Sequence, residues 1–244
     1  MDDIIILSIL IFAAGLLYSS VGHAGGSGYI AVMALFGIAP DTMKPTALVL
    51  NILVATIATV QFYKAGYFSW NTFWPFAISS IPFAFIGGAM SLPGNLYKQI
   101  VGLVLLFAAY HFFSKKQSAL ANPFKPIPVL AAILAGAGIG LLSGMVGVGG
   151  GIFLTPLILF MGWAGTKQTA GVSAMFILVN SISGIAGHIA GVKFLPDMIY
   201  ILGLAAVLGG TIGSYMGSRR FANATLYQLL AVVLVIAGVK FMIA

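Results

Sequence analysis

Two stretches of this chain halt a run of apolar residues with the same unusual chemistry. The first is VGHAGGSG, residues 21–28, and the second is VGVGGGIF, residues 146–153. Glycine adopts backbone conformations closed to other residues and lets a ligand approach the main chain. A helix restarting after such a break presents N–H groups with no partner inside the helix, and its end carries roughly half a positive charge. Restarts near Ser27 and Ile152 therefore suit a small anion, held by backbone dipoles, hydroxyls and amides without a buried Arg. This reading predicts Gly25, Gly26, Ser27, Gly149, Gly150 and Gly151 as an anion cradle. His23, Asn51, Ser173 and Asn180 are the candidate side-chain ligands, since polar groups inside apolar spans mark functional positions. His23 is suited to donate a hydrogen bond to the anion, or to titrate and couple transport to protons. The competing uses are structural: glycine lets membrane helices pack closely, and Asn, Ser and Thr hydrogen-bond between helices. His111 and His188 read as interfacial residues, and Tyr67, Trp70 and Trp74 as an aromatic belt.

Other chemistries lack their residues. Without cysteine there are no thiolate metal sites, disulfides or thiol nucleophiles. Asp2, Asp3, Asp41 and Asp197 are the only acidic residues and none lies deep in an apolar run, so carboxylate-based proton pumping or multivalent-metal transport has no candidates. A Na⁺ site of carbonyls and hydroxyls stays open. The run GVGGGIFL lacks the GK[ST] ending of a nucleotide-binding loop. No nucleophile–base pair stands out, and no cofactor is expected.

The elements that must position these residues are membrane helices. Of 244 residues, 61% are hydrophobic and 6% charged, with mean hydropathy +1.11. A soluble domain carries about a quarter charged residues. The net charge of +7 gathers mostly at helix ends, which the positive-inside rule explains without nucleic acid. Asp2 and Asp3 stand where a signal peptide would be basic, so the first twenty residues read as a membrane helix. A span needs about 20 apolar residues. The first half offers runs at about 4–20, 26–38, 43–63, 71–91 and 96–113; the second offers about 127–144, 150–162, 168–190, 197–217 and 225–243. The members at 26–38 and 150–162 are too short to cross.

An offset of 125 relates the halves: Gly15 meets Gly140, Gly22 meets Gly147, Gly25 and Gly26 meet Gly150 and Gly151, Gly37 meets Gly162, Gly66 meets Gly191, and Gly88 meets Gly213. The chain reads as a tandem duplication: repeat 1 at 1–113, a cytoplasmic linker at 114–126, and repeat 2 at 127–244. Placing Lys115, Lys116, Lys125, Arg219 and Arg220 in the cytoplasm, with each glycine break in a hairpin that enters and returns, gives each half three full spans and inverts the repeats. If each broken segment instead crosses once, the repeats are parallel. The expected fold is an all-α polytopic membrane protein. Its partners are a lipid bilayer and a small anion, with proton or sodium coupling and oligomeric state left open. A carrier that alternates access, an anion channel using the same dipoles, and a membrane-embedded enzyme or scaffold with no solute flux are the three functions to separate.

GLLSGMVGVGGGIFLTPLILF, from Gly140, resembles the duplicated glycine-rich block of the TauE/SafE family of sulfite and sulfonate exporters, also called TSUP. The following KQTAGVSAMFILVNSISGIAGHIAGVKF is similar to that family's next helix, with Phe194 closing a GxVxW-type loop. The resemblance covers essentially the whole chain. The first copy departs from it, with Ala24 for a glycine and Ala31 for the proline. What the resemblance implies is a transporter of sulfur-containing anions in the bacterial plasma membrane.

Overall fold

The computed structural model describes residues 2–113, 125–191 and 198–219, with 234–236, 238, 239, 242 and 243. Most of the linker expected at 114–126, the loop from Val192 to Asp197, Arg220, and most of the span expected at 225–243 lie outside the described residues. The described helices are α1 (Asp2–Ser19), α2 (Gly26–Leu35), α3 (Pro40–Lys64), α4 (Trp70–Ala89), α5 (Gly94–Phe113), α6 (Val129–Val146), α7 (Gly151–Met161), α8 (Thr166–Gly191) and α9 (Ile199–Arg219). There is no strand among the described residues. Each helix falls on an expected apolar run, within a few residues at either end.

Local chemistry sets the ends. Ser69 caps α4 by accepting from the Thr72 N–H at 3.4 Å, and Pro40 opens α3 where its missing N–H costs nothing. Left-handed glycines close α6 and α7 at Gly147 and Gly162. Five helices, α3, α4, α6, α8 and α9, are long and apolar enough to cross a membrane. The outer surface is apolar too: Leu130 of α6 is 71% and Phe160 of α7 88% exposed, which lipid favours and water would not. His188, expected at an interface, is instead buried within the protein.

Glycine stripes fix how the helices cross. Gly136, Gly140 and Gly144 of α6 lie on the backbone of Phe76, Ser80 and Ala84 of α4, so the two helices run parallel and too close for side chains between them. Gly209, Gly213 and Gly217 of α9 lie likewise on Phe12 and Leu16 of α1 and on Ser20 just beyond its end, also parallel. The helices α3 and α8 meet in the opposite sense: Leu48 touches Gly184, while Ala58 and Phe62 cluster with Ala170 and Ala174. These two helices are therefore antiparallel.

Both short helices fold back. A Cβ on Gly28 of α2 would lie 2.7 Å from the Tyr18 ring and 3.2 Å from Ala14, both on α1. The end of α7 returns to the start of α6, where Lys125 N–H donates to the Gly162 carbonyl at 3.0 Å. Each glycine break thus forms the tip of a helical hairpin. At that same end, Lys167 joins α8 to the α3–α4 turn, donating to Tyr67 Oη at 3.0 Å.

Candidate functional site

The two hairpin tips meet beside the middle of α3. Asn51, near the midpoint of Pro40–Lys64, is fully buried and donates from Nδ2 to the Gly147 carbonyl at 3.3 Å. A Cβ on Gly26 would lie 2.5 Å from Asn51 Nδ2 and 2.8 Å from the Val148 carbonyl oxygen. Gly26, at the first tip, therefore touches the backbone of the second. In return, a Cβ on Gly151 would come within 3.5 Å of the His23 ring. At Gly26 only glycine permits this approach; at Gly151 the His23 ring is at ordinary contact distance, and it is the Ile177 side chain that leaves no room for a Cβ.

The backbone conformations match across the offset of 125. Gly22 and Gly147 have φ of 80° and 93°, and Gly25 and Gly150 have 114° and 83°. All lie in the left-handed region that penalises side chains. Gly25 and Gly150 are also the N-caps of α2 and α7, and neither helix has a side-chain cap. The first N–H groups of α2, from Gly26, Ser27 and Gly28, and of α7, from Gly151 and Ile152, have no carbonyl inside their helices to bond. These helix starts are buried: His23 and Ser27 are each 3% exposed, and Gly26 and Gly151 are enclosed. Two positive dipole ends thus face a shared junction from which water is excluded by packing.

The expected residues divide on this geometry. His23, Gly26, Asn51, Gly149 and Gly151 come together at the junction. Gly25 and Gly150 support it from behind, against the Tyr29 ring and against Phe176 and Ile139. The Ser27 side chain lies toward Tyr18 of α1. Ser173, on α8, packs beside the second hairpin away from its tip, its hydroxyl sharing a 2.8 Å hydrogen bond with Thr155 of α7. Asn180 donates from Nδ2 to the Phe176 carbonyl of its own helix at 2.8 Å.

Three residues at the site escaped the sequence. Ser181 Oγ lies 3.1 Å from the Cβ position of Gly149, and Ile177 covers both Gly149 and Gly151. Lys44, 6% exposed, sends Nζ to the carbonyls of Gly87, Gly88 and Met90 at 3.2, 2.8 and 2.9 Å. A cation there complements the negative C-terminal end of α4. The Lys44 backbone also backs the second break, 3.0 Å from the Cβ position of Gly147. No group of metal-binding side chains occurs among the described residues.

Comparison with known proteins follows the same line. The family described as sulfite exporter TauE/SafE matches residues 7–241. The chain is 41% identical over 96% of its length, and 96% of the other's, to the probable membrane transporter protein y4hK of Sinorhizobium fredii. It is 29% identical to a probable membrane transporter protein of Haemophilus influenzae, covering 92% of this chain and 90% of that one. It is 23% identical to the probable membrane transporter protein YunE of Bacillus subtilis, covering 96% and 95%. No solved structure matches. With a family match across nearly the whole chain and an all-helical, lipid-faced structure around it, the chain belongs to the sulfite exporter TauE/SafE family and is a multi-pass membrane transporter, not an enzyme.

Proposed function

We propose that this transporter carries a small sulfur-containing anion, sulfite or a sulfonate, by alternating access at the junction of the two hairpin tips. The observation that carries the reading is the pair of buried, uncapped helix N-termini, α2 and α7, facing each other across glycines. Such ends bind anions through N–H groups and dipole without a cationic side chain. Lys44, the buried ammonium nearby, is engaged by the α4 carbonyls and does not compete for this role. The cradle is Gly25, Gly26, Ser27, Gly149, Gly150 and Gly151, with His23 beside it and Asn51, Ser173 and Asn180 as the polar side chains lining the approach. Sulfite and sulfonates suit it because their three oxygens accept from several N–H groups at once. The sulfur class itself comes from the name of the matching family.

We further propose that the halves are inverted repeats that rock against each other. Three features support this. The mates α3 and α8 run antiparallel. The pairing of α1 with α9 is mirrored by that of α6 with α4. The glycines at corresponding positions share left-handed φ.

The test is reconstitution in liposomes with labelled sulfite, thiosulfate, taurine and sulfoacetate. Saturable uptake with counterflow of at least one supports the carrier. Non-saturating conductance makes the site a channel, and no flux from folded protein removes the sulfur-anion assignment.

A further inference from the structure

Hydroxyls in these helices commonly serve the carbonyl one turn back. Thr46 bonds Thr42 at 2.7 Å, Thr56 bonds Ile52 at 2.6 Å and Ser214 bonds Gly210 at 2.6 Å. Ser181 does not. Its Oγ is fully buried and bonds neither the Ile177 carbonyl of its own helix nor any other group among the described residues. It lies instead against the second break, 3.1 Å from the Cβ position of Gly149. Asn51 Nδ2 stands 3.1 Å from the same point, and the only closer atom there is Ile177 Cγ2 at 2.6 Å. Ser181 Oγ and Asn51 Nδ2 therefore lie within about 6 Å of each other, a span that the oxygens of one small anion bridge at ordinary hydrogen-bond lengths. Asn51 Nδ2 has two N–H groups and gives one to the Gly147 carbonyl, which leaves the second to donate. The acceptors nearby, Asn51 Oδ1 and the Val148 carbonyl, lie at Gly26, 2.9 and 2.8 Å from its Cβ position. The flank of Gly149 thus gathers donors, and a buried hydroxyl is destabilising unless something accepts from it.

We propose that Ser181 is a ligand of the transported anion, donating its hydroxyl to an oxygen of the SO₃ group beside the second N–H of Asn51. Resting on the anion reading, this adds a side chain of α8 to a site otherwise built from the hairpin tips and α3. The contact is to the head that sulfite and sulfonates share, so Ser181 acts on the whole class of substrates and not on the tail that distinguishes them. The role belongs to one half only. Across the offset of 125, Ser181 stands opposite Thr56, whose hydroxyl is already taken by the Ile52 carbonyl. The anion is thereby drawn toward the second break, where α3 and α8 each supply a donor.

The test compares uptake of sulfite, taurine and sulfoacetate by the wild type, Ser181→Ala and Ser183→Ala in liposomes, with thermal unfolding of the same preparations. Loss of a hydrogen bond to a charged group should raise the half-saturation of Ser181→Ala about ten- to a hundredfold for every substrate the wild type carries. Stability should not follow. Without substrate, Ser181→Ala should melt no lower than the wild type, because it removes a buried hydroxyl that bonds nothing. Ser183→Ala, whose hydroxyl serves the Ile81 carbonyl of α4, should keep the wild-type half-saturation. Protection from unfolding by sulfite reads the same affinity without flux, and Ser181→Ala should need more sulfite by the same factor. Unchanged half-saturation in Ser181→Ala, while the wild type transports, overturns the proposal and leaves the anion site standing. A loss confined to taurine places the hydroxyl at the tail and overturns it too. A lower melting temperature with lost flux at unchanged half-saturation makes Ser181 structural. If the wild type neither carries nor is protected by any of these anions, the anion reading itself fails, and this ligand with it.

Discussion

Replacing Gly26 with alanine tests the junction with a single methyl group. Gly26 is helical and not in the left-handed region, so alanine adds no backbone strain. In a helix it gains about 0.5–1 kcal/mol over glycine. The new Cβ would sit 2.5 Å from Asn51 Nδ2 and 2.8 Å from the Val148 carbonyl, so the two tips must part. Overpacking of this kind costs about 1–3 kcal/mol. The net loss of stability is therefore small, and the protein should still fold. Transport should suffer far more. Pulling one N–H donor out of reach of a bound anion costs about 1.5–3 kcal/mol. Each 1.4 kcal/mol is tenfold in affinity. Half-saturation for the anion should rise about ten- to a hundredfold.

The comparison variants are Gly37→Ala and Gly162→Ala. Their φ values are 70° and 69°, and a Cβ at either position meets nothing within 4 Å. Alanine there costs about 1–2 kcal/mol in left-handed strain alone. These variants should lose stability in the same range as Gly26→Ala and still transport like the wild type. Thermal unfolding in detergent and uptake in liposomes, measured on the same preparations, give both quantities. If the three variants lose flux in proportion to lost stability, or if Gly26→Ala transports normally, the close contact of the tips has no functional role.

Gly140→Leu should abolish a monodisperse peak in detergent gel filtration, because its side chain would enter the Ser80 backbone, while Gly138→Leu, facing open space, should leave the peak unchanged. Lys44→Met removes the donor to three α4 carbonyls and should lower stability by about 1.5–3 kcal/mol or more, read as an earlier thermal inactivation, with Lys44→Gln recovering only part of it. Thr155→Val and Ser173→Ala, which break one shared hydrogen bond, should show a coupling of about 0.6–1.7 kcal/mol in a double-mutant cycle, and a coupling of zero would mean the pair is not formed in the membrane.

The helices were legible because membrane thickness sets their length and glycine sets their interruption. The expected 168–190 became Thr166–Gly191, and the short piece at 150–162 became Gly151–Met161. Whether the chain turns back at each break or crosses once was not legible: the basic residues fit a turn without excluding a crossing, and the return of α7 to the start of α6 is read from packing. Nor was the rotation of each helix. A segment such as α8 is apolar on nearly every face, so its sequence carries no stripe that says which side meets α7 and which meets the tips. Ser173, Asn180 and Ser181 therefore look alike as sequence. Only packing separates Ser181, at Gly149, from Ser173, at Thr155. Lys44 was hidden for a different reason. Its partners are backbone carbonyls at the end of another helix, and no side-chain pattern announces them.

Glycine answers two separate demands here, and the difference locates the chemistry. The stripes at Gly136–Gly144 and Gly209–Gly217 have helical φ and are pressed on neighbouring backbone; they hold helices together. The glycines at Gly22, Gly25, Gly147, Gly149 and Gly150 have positive φ; they turn the chain. The turning glycines are shared across the offset except at Gly149, which stands opposite Ala24. The side chains around them are not shared. His23 stands opposite Val148, Asn51 opposite Phe176, and Ser181 opposite Thr56, which bonds its own helix at the Ile52 carbonyl. Glycine breaks of matching conformation thus supply two N–H-rich ends, while the side chains around them differ. An anion needs the part that is doubled.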